Sequence, residues 1–148
     1  MIVYLDTGSL VKLYVEEDES SKVDALVRSS EVTATSIVAY AEVRAAFARR
    51  FREKAFTPVE HDRIKAFLDK DWSSYLILSI TGDMIRVAGD LAEKHALRGF
   101  DSIHLASALT LRSDLLKDFQ EVLLSNTVWE EINQYHPSAL NKADLPFF

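Results

Sequence analysis

Met1-Ile2-Val3-Tyr4-Leu5-Asp6-Thr7-Gly8-Ser9 opens the chain with a short apolar run that halts at Asp-Thr-Gly. A run this short, β-branched and aromatic reads as a buried strand over residues 2–6. Outward from it, the pattern predicts a helix or helical turn over Ser9–Glu16 and a solvated acidic link, Glu16–Glu19. A helix through Val27 follows, with Asp18 or Ser20 available as its cap. A strand is expected at Glu31–Ala34, then a long helix capped by Thr35 or Ser36 that ends near Lys54. Pro58 suits a helix start, and Val59–Trp72 carries Ile64, Phe67 and Leu68 at helical spacing. Leu76–Ile80 reads as a third strand, and Thr81 caps a helix over Gly82–His95. Gly99 reads as a turn, Asp101 as the opening of a helix and Glu121–Ser125 as a fourth strand. A last helix at Thr127–Tyr135 stops before Pro137, and a tail runs from about residue 138. Strands separated by helices predict an α/β domain whose mainly parallel sheet is covered on both faces.

The chain has 148 residues with 48% hydrophobic content, enough for one domain and short for two, so a single domain over 1–148 is expected. No apolar run reaches the length of a membrane span, and the opening MIVYLD lacks the basic start of a signal peptide. The absence of cysteine excludes disulfides and thiolate zinc sites, and a reducing cytoplasm is the expected location. A formal charge of −6 makes no overall electrostatic case for nucleic acid. Locally the balance reverses: Arg44, Arg49, Arg50, Arg52 and Lys54 face only Glu53 within residues 44–54. That run is either a solvated helix face or a surface for phosphates or an acidic partner.

Three acids sit in apolar settings. Asp6 ends the first strand, Glu42 is flanked at helical spacing by Val38, Ala39, Ala45 and Ala46, and Asp101 precedes the apolar-periodic segment Ser102–Leu111. A carboxylate among apolar neighbours costs several kcal/mol unless it is paired or binds a cation. Taken alone, Asp6 and Asp101 each read first as a turn or cap acid, with ligation as the alternative. Glu42 is mid-helix, where capping fails; its alternatives are a snorkelling pair with Arg49 or a cation. His104, three residues after Asp101, is either a packing or surface histidine or a ligand or general base. Oxygen-only donors from strand ends and an embedded helix suit a hard cation such as Mg²⁺ or Mn²⁺. Dinucleotide, P-loop, HExxH and GxSxG fingerprints are all missing, and Gly8 occupies the place where a haloacid-dehalogenase-like phosphatase needs a second Asp.

The segments Val3–Tyr14 (VYLDTGSLVKLY), Thr35–Val43 (TSIVAYAEV) and Leu97–Ala108 (LRGFDSIHLASA) together resemble a PIN domain, most of all the VapC-type toxins of toxin–antitoxin modules. The resemblance runs over nearly the whole chain and is weakest after about Leu111. It implies a Rossmann-like parallel sheet and a Mg²⁺-dependent ribonuclease acting on RNA, often a homodimer and silenced by a cognate antitoxin. Carried over by position, Asp6, Glu42 and Asp101 are its metal-coordinating acids. The family's fourth acid follows the last core strand; here that stretch reads Leu124-Ser125-Asn126-Thr127, so Asn126 takes the place with one negative charge fewer. Asp118, Glu121, Glu130 and Glu131 are nearby acids that can stand in under a shifted alignment. The departure keeps a rival expectation open, a catalytically weakened scaffold that acts by binding antitoxin or RNA. Phe47, Phe51, Phe56 and Phe67 are read either as core or as part of a groove for an antitoxin helix.

Overall fold

Strand β1 (Ile2–Tyr4) is continuously apolar because both of its faces are covered. Successive side chains of a strand point to opposite faces. Val3 and Leu5 accordingly pack with Leu10, Val11, Ala39, Val43, Phe47 and Leu68 on one side. Ile2 and Tyr4 meet Ala34, Ala108 and Leu111 on the other. The structure is a computed structural model that describes residues 1–116 and 122–124.

β1 pairs in parallel with β2 (Val32–Ser36), Ile2 facing Val32, and with β4 (Val122–Leu124), Ile2 facing Val122. β3 (Leu76–Leu78) adds to β2 with Ala34 facing Leu76, so the four-stranded sheet runs β3-β2-β1-β4. Helices α1 (Thr7–Val11), α3 (Val38–Arg52) and α4 (Pro58–Trp72) bury their apolar residues on the Val3–Leu5 face, and α2 (Ser20–Ser29) flanks them. α6 (Gly99–Leu116) covers the opposite face, and α5 (Gly82–His95) packs on it through Met84, Ala88 and Leu91 against Ile103 and Ala106. Among the described residues no helix is long and apolar enough to cross a membrane. This is the expected α/β, Rossmann-like arrangement, parallel throughout the described strands.

Several boundaries differ from expectation for identifiable reasons. α1 begins at Thr7 rather than Ser9, because Asp6 accepts the Ser9 N–H and starts the helix directly behind the strand. Thr35 and Ser36 do not cap α3: both lie within β2, Thr35 gives its hydroxyl to the Leu5 carbonyl, and Ile37 holds the cap position without a side-chain bond. α2 likewise starts without a side-chain cap, at left-handed Glu19, while the Ser20 hydroxyl ties the loop to Glu17 N–H and the Val15 carbonyl. Gly99 is the first residue of α6 instead of a turn, which moves Asp101 into the first helical turn and out of the cap position. Thr57 and Glu60 form a full capping box spanning Pro58 that the sequence reading passed over. The helix expected at Thr127–Tyr135 and the tail from 138 lie outside the described residues.

Candidate functional site

β1, α3 and α6 deliver the three acids to the carboxyl edge of the sheet. Asp6 follows β1, is only 6% exposed, and spends Oδ1 on the Ser9 N–H at 2.8 Å. Glu42 stands one turn into α3, and its Oε2 accepts the Thr7 hydroxyl at 2.6 Å and lies 2.9 Å from His104 Nε2. Thr7 adjoins Asp6 in the chain, and His104 stands three residues after Asp101 on the same face of α6. One hydrogen-bonded knot thus ties together the neighbours of all three acids.

The electrostatics agree. Burial raises the Asp101 carboxyl above the ordinary aspartate value; Arg98, whose Nε lies 3.8 Å from Oδ2, opposes that, and the charges of Glu42 and Asp6 push it further up. Burial also pushes Glu42 upward, but the hydrogen bonds from His104 and Thr7 outweigh it and hold this carboxyl below the usual glutamate range. Glu42 is therefore an anion and accepts only.

His104 is 2% exposed and belongs to the knot: Nδ1 lies 2.9 Å from the Tyr4 hydroxyl, and Nε2 is 3.0 Å from Thr7 Oγ1. It is neither a surface histidine nor packing alone. Sequence reasoning passed over Thr7 and Tyr4. The available signal for Tyr4 was a phenol inside a buried strand, since a buried tyrosine hydroxyl requires a partner.

Next to the knot opens a cleft of about 620 Å³, lined by Thr7, Glu42, Arg49, Arg50, Arg52 and Arg98 among others. The basic run is therefore split. Arg49, Arg50 and Arg52 reach the cleft, with Arg50 paired to Glu17 on its wall. Arg44 instead donates to the Tyr40 hydroxyl at 2.8 Å and lies 3.9 Å from Asp69, and Lys54 sits in left-handed backbone past the end of α3. Arg98 is a cleft residue the sequence reading did not single out. Of the four phenylalanines, Phe47 is fully buried core, Phe56 packs partly against it, Phe51 stacks on His61, and Phe67 is 44% exposed beneath Arg63.

Asp6, Glu42 and Asp101 suit a hard divalent cation by donor chemistry, and the repulsion that raises Asp101 is a cost such a cation removes. Among the described residues no group of three or more acids and histidines is gathered closely enough to hold an ion as it stands. Glu42 turns Oε2 to Thr7 and His104. Asn126, Asp118, Glu121, Glu130 and Glu131 lie outside the described residues.

Comparison with known proteins gives the same frame. The PIN domain family matches residues 3–123. Ribonuclease VapC45 of Mycobacterium tuberculosis (strain CDC 1551 / Oshkosh) is 37% identical over 110 residues, covering 74% of this chain and 76% of the relative. Ribonuclease VapC49 of Mycobacterium tuberculosis (strain ATCC 25618 / H37Rv) matches with the same identity and coverage. A chain of a toxin–antitoxin complex from Klebsiella pneumoniae shares the fold at a TM-score of 0.56 and 21% identity, covering 76% of this chain and 81% of that one. With the sheet and these likenesses in agreement, the chain belongs to the PIN-domain family, of the VapC type.

Proposed function

We propose that this chain is a divalent-metal-dependent endoribonuclease, the toxin of a toxin–antitoxin pair, which hydrolyses RNA phosphodiesters. The observation that carries the reading is the acid edge of Asp6, Glu42 and Asp101 beside an arginine-lined cleft. The ribonuclease names of two relatives at 37% identity support it. Asp6 and Asp101 would hold Mg²⁺, or Mn²⁺ in its place, with Glu42 as a third oxygen donor. Such an ion would supply acidified water for attack on a phosphodiester and offset the charge on the phosphoryl oxygens. Arg49, Arg52 and Arg98, with Arg50 where Glu17 releases it, bind flanking phosphates and carry the polyanion past the acids. His104 faces Glu42 through Nε2, and water acidified by the ion needs no histidine as its base.

The same reading makes the chain a single-domain, cytoplasmic homodimer restrained by a cognate antitoxin. Freedom from cysteine supports the compartment, and the VapC likeness supports the antitoxin.

Incubating the purified protein with mixed RNA, in Mg²⁺ and in EDTA, tests the proposal. Cleavage in Mg²⁺ that EDTA stops is the expected result. RNA retained but uncut in both conditions replaces the nuclease with a binding scaffold, as the amide at Asn126 would favour.

A further inference from the structure

We infer that Tyr4 and His104 are positioning residues: the Tyr4 hydroxyl holds the His104 ring with its proton on Nε2, and that proton clamps one oxygen of Glu42 so that the other serves a cation. The inference rests on the metal-dependent reading above.

Proton accounting leads to it. Glu42 Oε2 offers no hydrogen, so the 2.9 Å contact with His104 requires the proton on Nε2. Thr7 has one hydroxyl hydrogen and gives it to the same Oε2 at 2.6 Å, so at 3.0 Å from Nε2 it accepts a share of that ring proton. With that single proton on the ring, Nδ1 is an acceptor, and the hydroxyl 2.9 Å away on Tyr4 supplies the hydrogen. Tyr4 is fully buried, and burial keeps its phenol protonated far above its ordinary range. It is a donor throughout the physiological range.

The outcome at Glu42 is asymmetric. Both hydrogen bonds land on Oε2; among the described residues Oε1 receives none, and Glu42 lines the cleft. A flexible glutamate on its own would sample many rotamers. One clamped at Oε2 by two donors presents Oε1 in a narrow range of positions. Tyr4 is not among the residues that line the cleft and has no hydrogen bond to Glu42. Its effect passes through the ring: without its hydroxyl, a buried Nδ1 lacks its donor, and the opposite tautomer, which has no proton for Glu42, gains population.

The test uses full-length protein labelled with ¹⁵N in the imidazoles. Long-range ¹H–¹⁵N correlation reports the His104 tautomer without metal, and electron paramagnetic resonance of free Mn²⁺ reports metal affinity. The parent is expected to show His104 as a single Nε2–H form. Tyr4→Phe, which keeps the ring and removes one oxygen, is expected to show a mixed or inverted tautomer and to weaken Mn²⁺ binding about tenfold or more. His104→Gln, whose amide N–H can replace the Nε2 donor, is expected to bind Mn²⁺ more tightly than His104→Leu; equal affinities overturn the inference even if Tyr4→Phe folds poorly. A Tyr4→Phe protein with parental tautomer and parental Mn²⁺ affinity overturns the positioning role alone. A parent that shows the Nε2–H form yet takes up no Mn²⁺ overturns the functional reading, and the role given to Oε1 falls with it.

Discussion

The Thr7 hydroxyl donates to Glu42 Oε2 across 2.6 Å, joining the first residue of α1 to the first turns of α3. The bond is short, as expected of a hydroxyl meeting a carboxylate. It fastens the residue beside Asp6 to the acid most embedded in apolar sequence. Thr7→Val keeps the shape and removes the donor. We expect a loss of about 1 kcal/mol, or about 2–4 °C in Tm for a chain of this size, with metal-dependent cleavage reduced. Calorimetry and an RNase assay on the same preparation check both; unchanged values would leave the bond without consequence.

Asp6 caps α1 and is proposed to hold the metal, and two substitutions separate the two roles. Asparagine caps helices as well as aspartate does, so Asp6→Asn keeps the Ser9 N–H bond and the fold while lowering cleavage about a hundredfold or more. Asp6→Ala loses the cap as well and should be about 1 kcal/mol less stable than Asp6→Asn. Denaturant titration of the pair decides it. Parental cleavage by Asp6→Asn would remove this residue from the metal site.

Asp101→Asn removes a carboxyl raised by burial and by its acidic neighbours. A raised folded-state pKa means that ionised Asp101 weighs against the fold at neutral pH, so the amide should be slightly more stable there. Solvent screening of this half-exposed group keeps the gain below about 1 kcal/mol. Cleavage should vanish all the same. A variant both destabilised and active would contradict both parts.

Glu17 neutralises Arg50 on the wall of the cleft. Glu17→Gln frees that guanidinium for a phosphate. In an Asp101→Asn background with EDTA, RNA affinity at low salt should rise severalfold, and the slope of log K against log salt should steepen by about one. Weaker binding would mean that the pair only braces the loop before α2.

Alkaline stability reports on three tyrosines. Burial raises Tyr4, Tyr14 and Tyr75 above the ordinary phenol value, and Tyr14 is raised further by its bond to Tyr75 and by Asp71. The unfolded chain ionises these phenols near pH 10 and the folded chain does not. Their contribution is therefore complete below about pH 10 and declines above it, by at most about 1.4 kcal/mol per pH unit for each tyrosine. Urea midpoints on both sides of pH 10 should diverge for the parent and less so for Tyr14→Phe. Parallel curves would show that Tyr14 ionises alike in both states.

Helix α5 and its Thr81 cap, the Pro58 start of α4 and the buried first strand were legible because each depends on neighbours within a few residues. The three acids were legible as misfits, charges in stretches that otherwise bury. The partners were not. Tyr4 and His104 are separated by 100 positions, Thr7 and Glu42 by 35, and no local spacing encodes either bond. Gly99 misled for the same reason: its freedom suggests a turn, yet the packing of α6 against the sheet extends the helix through it.

Patterning and local stereochemistry along the chain were enough to dictate alternating elements, a sheet covered on both sides and acids waiting at its edge. Which donor satisfies each acid was settled by folding alone. Hydrogen bonds and burial act over a few ångströms, and only the parallel pairing of β1 with β2 and the packing of α6 bring Thr7, Glu42 and His104 within that range.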